Sequence, residues 1–195
     1  MAGVSPLVNP RPDEIIYEGH YWRVLVNLNQ NLLGRCVVAL KRHEEDLFKL
    51  TTHEKEELWS LAAKVRQSLG DLFQADHFNF SFLGNSDRHL HLHIVPRYRG
   101  TRFFAGLVFD DKAWGHHYDL IPRRVPPEVA LQLVAALKEK LMPLVAARSE
   151  RHKRTTEKRH QEKIKRPRGR PPKHPKPLKA KAKPASKKTA KRKRR

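Results

Sequence analysis

This 195-residue chain has a single cysteine, half as many acidic as basic residues, and no long apolar run. Its one cysteine, Cys36, rules out an internal disulfide. No uninterrupted apolar stretch reaches the roughly 18 residues a spanning helix needs, and the N-terminus lacks the apolar core of a secretory leader. The expectation is an intracellular protein with no membrane partner. Hydrophobic residues make up 38%, which is low for a chain folded throughout, and 20 Asp or Glu stand against 41 Lys or Arg. That imbalance is local. Residues 148–195 hold 23 Lys or Arg against three acidic residues, which is +20 of the formal net charge of +21. Residues 1–147 are therefore close to neutral, and the chain reads as a globular part followed by a cationic tail.

The densest chemistry in the globular part is Arg88-His-Leu-His-Leu-His-Ile-Val-Pro-Arg-Tyr98. Strand side chains alternate with period two, so a strand here puts His89, His91 and His93 on one face and Leu90, Leu92 and Ile94 on the other. Pro96 ends it, since proline supplies no ladder donor. Three readings compete. The row is the polar face of a half-buried strand; or a metal site, imidazole being the commonest ligand, although no Cys or Glu partner lies nearby in sequence. The third reading is nucleophilic catalysis, in which one imidazole attacks and its neighbours orient it and stabilise charge.

His-aliphatic-His-aliphatic-His-aliphatic-aliphatic, as His89 to Val95, resembles the signature of the histidine triad (HIT) family of nucleotidyl hydrolases and transferases, and Pro96-Arg97 resembles its diadenosine-polyphosphate hydrolase branch. The resemblance implies that His91 is the nucleophile, that His93 contacts phosphate and that His89 supports the arrangement. It also implies an Asn near the end of the second strand that contacts the ribose, which maps to Asn27, and an outer histidine at position 35. Position 35 is Arg here, a residue able to fork onto a phosphate but unable to act as a neutral imidazole. From the residues alone, Asn27 reads first as a turn former closing the strand. The family implies a homodimer and a covalent nucleotidyl-histidine that needs no metal or other cofactor.

The remainder fits an α+β domain with an antiparallel sheet of about five strands and two main helices. Residues 1–13, with Pro6, Pro10 and Pro12, read as a flexible lead-in to a domain over 14–147. Ile15–Tyr17, Tyr21–Val26, Arg35–Leu40 and His77–Leu83 read as strands besides the histidine strand. Thr51-Thr-His-Glu54 has capping-box spacing, and Leu58, Leu61, Ala62, Val65 and Leu69 give Thr52–Leu69 the apolar stripe of a helix ending at Gly70. His43 reads as a loop histidine. Gly84-Asn-Ser-Asp-Arg88 is hairpin chemistry; the resemblance makes Asn85 and Ser86 candidates for binding phosphate. Trp114-Gly-His-His-Tyr118 either covers the pocket or packs. Pro126-Pro127 opens a second helix whose apolar face is Val129, Leu133, Val134, Leu137 and Leu141, with Pro143 kinking or ending it.

The tail, 148–195, is too charged to offset the entropy of ordering and is expected to be disordered. Its Lys, Ala and Pro repetition resembles linker-histone tails. Arg166-Pro-Arg-Gly-Arg-Pro171 matches the AT-hook: Gly169 lets the backbone lie on a narrow minor groove while Arg168 and Arg170 reach along it, and Arg166, Pro167 and Pro171 flank them. An undifferentiated polycation that binds any polyanion is the simpler reading, and Lys191–Arg195 also suits nuclear import. The expected function is a nucleotide hydrolase or nucleotidyl transferase acting on a nucleoside 5′-phosphoryl conjugate, with a DNA-binding tail, in nucleoid-associated cytoplasm or nucleus. The alternative is a non-catalytic nucleoid or chromatin DNA-binding protein whose domain binds nucleotide and dimerises.

Overall fold

In the computed structural model, residues 6–119 and 121–165 are described, with side chains to residue 147. The chain divides into units 1–155 and 156–195, and the first holds every strand and every side-chain contact described below. Ile15–Glu18 (β1) and Trp22–Val26 (β2) pair as a hairpin, and Cys36–Leu40 (β3) continues the antiparallel meander. Thr52–Phe73 (α1) then crosses to the far edge, where His77–Ser81 (β4) pairs with His91–Arg97 (β5). β5 slots beside β3, which gives the order β1-β2-β3-β5-β4. The expected α+β architecture of five antiparallel strands and two main helices is what forms.

Alternation along the strands decides which face each side chain takes. Trp22, Val24, Val38, Leu92 and Ile94 join one core with Leu58, Leu61, Val65 and Leu69 of α1 and with Leu133, Leu137 and Leu141 of the second helix, α2 (Pro127–Lys165). Burying each such side chain contributes about 1.5–3 kcal/mol relative to leaving it in water. Leu25, Val37 and Ala39 turn to the other face, where Leu7 and Ile15 pack on them. His93 pairs with Val37 and His91 with Ala39 in register, so both imidazoles share that second face.

α1 opens as expected: Thr51 Oγ1 accepts from the Glu54 amide at 3.3 Å and the Glu54 carboxylate accepts from the Thr51 amide at 2.8 Å. It does not stop at Gly70. An interior glycine costs only about 1 kcal/mol, less than the burial of Phe73, and Gln74 closes the helix with φ 54°. β4 is shorter than expected, ending at Ser81, and Phe80 on it is exposed. A second hairpin, Arg102–Phe104 (β6) with Leu107–Phe109 (β7), occupies what the sequence presented as a connection. Its two-residue turn, Ala105-Gly106, has both φ values positive, 48° and 77°.

α2 passes through Pro143 and runs to Lys165. The physical reason lies in composition: residues 144–165 contain no Gly and no further Pro, and Glu150/Arg154, Lys153/Glu157 and Lys158/Glu162 stand at i,i+4. The AT-hook at 166–171 lies outside the described residues.

Candidate active site at the histidine strand

β5 begins at His91, so only His91 and His93 of the three histidines are strand residues; His89 lies just before it. The expected single row is broken there because the chain is irregular from Leu83 to Leu90, with His89 N–H donating back to the Asp87 carbonyl at 2.8 Å. The ring of His89 is nevertheless held: its Nε2 lies 2.7 Å from the Leu40 carbonyl, and exposed His43 stacks over it at 5.8 Å.

Partners fix the protons on these rings. A carbonyl oxygen only accepts, so His89 carries its proton on Nε2, and His91, whose Nδ1 is 2.6 Å from the His89 carbonyl, carries its proton on Nδ1. His91 Nε2 is then bare. It lies 2.9 Å from His93 Nε2, which must be the N–H donor of that pair. Burial lowers the pKa of His89, and burial together with the neighbouring His91 and Arg35 holds His93 down at about 4. With these partners the unprotonated nitrogen at the centre of the triad is His91 Nε2, whose lone pair accepts from His93.

That lone pair faces a cavity of about 460 Å³ lined by His91, His93, Asn27, Leu25, Val37, Asp87 and residues of the N-terminal segment from Pro6 to Arg11. The segment that reads as a loose lead-in therefore walls the cavity. Leu7 packs on Leu25, Val37 and Ala39, and Arg23 Nη1 donates to the Val8 carbonyl at 2.7 Å. A second cavity, about 230 Å³, touches His91 and His89 from the side of Glu45, Phe82 and Arg88. Among the described residues no group of His, Cys, Asp or Glu is placed to hold a metal ion, and no helix there is long and apolar enough to cross a membrane.

Asn27 lies on the cavity wall and also serves as the turn former: its Oδ1 accepts from the Asn29 amide at 2.8 Å, and its amide donates to the Arg35 carbonyl at 3.0 Å. Gln30, which sequence reasoning passed over, braces this loop from inside. Its Nε2 donates to the carbonyls of Asn27 and Arg35 at 2.6 and 2.8 Å, and its Oε1 accepts from the Gly34 amide. Gly34 is required there, with φ 81° and no room for a Cβ beside Leu69 and Phe73. Arg35 is 97% buried, donates through Nη1 to Asn31 Oδ1 at 2.6 Å, and stands 5.8 Å over the Tyr118 ring. Asn85 and Ser86 are exposed and line neither cavity at His91; Gly84, Asp87 and Arg88 are the residues of that loop that do.

Arg97 was legible only as part of a motif. Buried at the end of β5, it makes a two-pronged ion pair with Asp111 at 2.6 and 3.1 Å and donates to Asn79 and to the carbonyls of Ala113 and His116. This clamp folds the 110–118 segment back onto the sheet. Tyr118 lands on Val95 and Leu32 and its hydroxyl meets Ser81 at 2.8 Å, while His116 and His117 stay exposed. The segment thus packs at the end of the histidine face.

Residues 9–100 match the family described as HIT domain. Curated relatives include a bis(5′-adenosyl)-triphosphatase of Dictyostelium discoideum, 30% identical over 92 residues, 45% of this chain and 62% of that one. A second bis(5′-adenosyl)-triphosphatase, from Saccharomyces cerevisiae, is 27% identical over 104 residues, half of each chain. The chain thus spans half to just under two thirds of these relatives' length. Among solved structures, a histidine triad protein of Sinorhizobium meliloti superposes with a TM-score of 0.55 at 20% identity, covering 65% of this chain and 88% of that one. One from Sulfolobus tokodaii, a hypothetical histidine triad nucleotide-binding protein, gives 0.53 at 21%, covering 67% and 85%. These two share the fold.

Proposed function

Starting from the HIT domain carried by residues 9–100 and from the diadenosine-triphosphatase-like homologues, we propose that this chain is a nucleotide hydrolase or nucleotidyl transferase that works through a covalent nucleotidyl-histidine. The observation that carries the reading is the bare Nε2 of His91 at the wall of a cavity of about 460 Å³. That lone pair attacks the α-phosphorus of a nucleoside 5′-phosphoryl conjugate. A P–N bond forms, and the bond to the leaving group breaks with its electron pair departing on that group. Water then attacks the same phosphorus: its oxygen bonds to phosphorus, one of its protons passes to solvent, and the P–N bond breaks with its electron pair returning to His91.

In this mechanism His93 turns its Nε2–H from His91 to a phosphoryl oxygen, where developing charge makes the bond stronger in the transition state than in the ground state. His89 holds His91 through its carbonyl. Asn27, whose Oδ1 is committed to the turn, offers Nδ2 to the ribose, and Arg35 supplies standing positive charge behind His93. The basic tail, with Arg166–Pro171 at its head, holds the protein on DNA. A homodimer is part of the reading, supported by Trp59, 57% exposed on α1, and Phe80 on the edge strand β4.

The test is AMP release from diadenosine triphosphate and from a fluorogenic adenosine phosphoramidate, beside His91→Ala. A fall of roughly 10³-fold or more is expected for the variant, as for loss of a covalent nucleophile; wild-type turnover by His91→Ala would sink the assignment. Arg35 in place of an imidazole favours one competing reading, a nucleotide-binding module in a nucleoid or chromatin protein. AMP binding with no release from either substrate selects it.

A further inference from the structure

Both helices pack on one face of the sheet, and the histidine face is covered by less. Leu25, Val37 and Ala39 are buried on it, and what lies over them is Leu7 of the N-terminal segment together with Ile15. Residues 6–11 belong to no strand, so no sheet ladder holds them there. A segment of that kind stays in place through its side-chain packing and the hydrogen bonds its own backbone groups find.

Arg23 supplies one of those bonds. Register places Arg23 of β2 opposite Ala39 of β3, and Ala39 opposite His91 of β5, so the three share one face and one line across the sheet. The partly buried Arg23 side chain donates through Nη1 to the Val8 carbonyl at 2.7 Å and through Nε to Glu18 Oε1 at 3.0 Å. Lys41 Nζ stands 3.2 Å from the same carboxylate oxygen. A planar guanidinium serves two partners at once from a fixed fork, which a single ammonium cannot do in that geometry. Glu18 aims the guanidinium, and the guanidinium holds Val8. Leu7 is thereby kept on the sheet, and the segment forms one wall of the cavity that reaches His91 and His93.

We propose that Arg23 is a positioning residue for ligand binding: through the Val8 carbonyl it seats residues 6–11 over the histidine face and so completes the cavity that takes the nucleotide. The inference deepens the reading given above and rests on it for the identity of the ligand alone. Arg23 does not itself line that cavity, so its influence on a ligand passes through the segment. The affinity observed is then the intrinsic affinity scaled by the fraction of molecules in which the segment is seated. Groups on β5 carry out the chemical step, and they keep their places when the segment loosens. Loss of this latch is therefore expected to weaken nucleotide binding and to leave turnover at saturation intact, as uniform-binding losses do.

The experiment compares the full chain with Arg23→Met, which keeps an aliphatic stem on the sheet and removes the donors. Hydrogen exchange of residues 6–11 is expected to quicken in the variant while β2 and β3 keep their protection. Calorimetric titration with AMP is expected to show Kd raised roughly tenfold, the equivalent of losing one hydrogen bond to a charged group. With diadenosine triphosphate, KM is expected to rise in step and kcat to stay within about twofold. Leu7→Ala loosens the same segment at its other attachment, so the double variant is expected to lose less affinity than the two single losses combined. Unchanged exchange at 6–11, an unchanged AMP Kd, a fall in kcat with KM unchanged, or two losses that combine in full overturns the proposal. So does a wild type that binds no AMP. Arg23→Gln, too short to bridge both partners, is held to the same outcomes, so the decision does not hang on one variant folding. If the wild type binds AMP yet releases none from diadenosine triphosphate, the hydrolase reading fails while Kd and exchange still judge the latch.

Discussion

His93 is the side chain whose protonation sets the response of the site to acid. Its folded-state pKa, about 4, lies below the ordinary value of 6.5, so between pH 6.5 and 4 the unfolded chain binds more protons than the folded one. Stability must therefore fall as pH drops through that window, with the loss complete below it. Urea unfolding at pH 7 and pH 5 should show a lower midpoint at pH 5, and His93→Gln should flatten part of that difference. His91 and His93 were legible because alternation is a local signal that one strand carries by itself. Arg35 was legible as a departure from pattern but not as a neighbour of His93, because that proximity depends on the β3–β5 register and on no local spacing. Gln30 and Asp111 gave no signal at all, since a buried Gln and an acidic loop residue look like solvated ones until their partners are known.

At the scale of elements, the clamp from β5 to the 110–118 segment is the joint to test. Arg97→Ala leaves the Asp111 carboxylate, 1% exposed, without its counter-charge, and the cost of such a buried orphan is about 3–5 kcal/mol. Chemical denaturation should show a loss of that order, and hydrogen exchange should show residues 110–118 opening first. Thr51→Ala removes only the acceptor of the capping box and should cost about 1 kcal/mol, read from the same denaturation curves; no loss would mean that Glu54 and Arg42, paired at 2.7 Å, hold the helix start without it. α1 and the meander were legible from periodicity and caps. The β6–β7 hairpin was not, because strands of three residues carry too little alternation to read and Ala105 is an unusual occupant of a positive-φ turn position. Gly70 and Pro143 misled in the same way: each is a breaker by propensity, and in each case the helix continues past it.

The whole molecule joins a near-neutral domain to a strongly cationic end, and that asymmetry makes its own prediction. Residues 166–195 hold 15 Lys or Arg and no acidic residue. Removing them should weaken binding to duplex DNA and flatten its dependence on salt, because fewer counterions are released, while turnover of diadenosine triphosphate stays at the full-chain rate. Fluorescence anisotropy over a salt series measures the first and AMP release the second; loss of both together would mean that the tail also supports the active site.

Cys36 opens β3 in the middle of the core, fully buried, with its Sγ 3.3 Å from the Gly34 carbonyl and its thiol pushed up to about 12 by burial. A thiol in that state is neither ionised nor reachable, and the chain has no other. Alkylating reagents should therefore leave the native protein at its unmodified mass and add a single label only when β3 parts from its neighbours. The molecule carries its own clock for opening: the labelling rate under native conditions counts excursions of the strand whose Val37 and Ala39 lie opposite His93 and His91, and slowing of that rate by AMP would report ligand grip without any turnover.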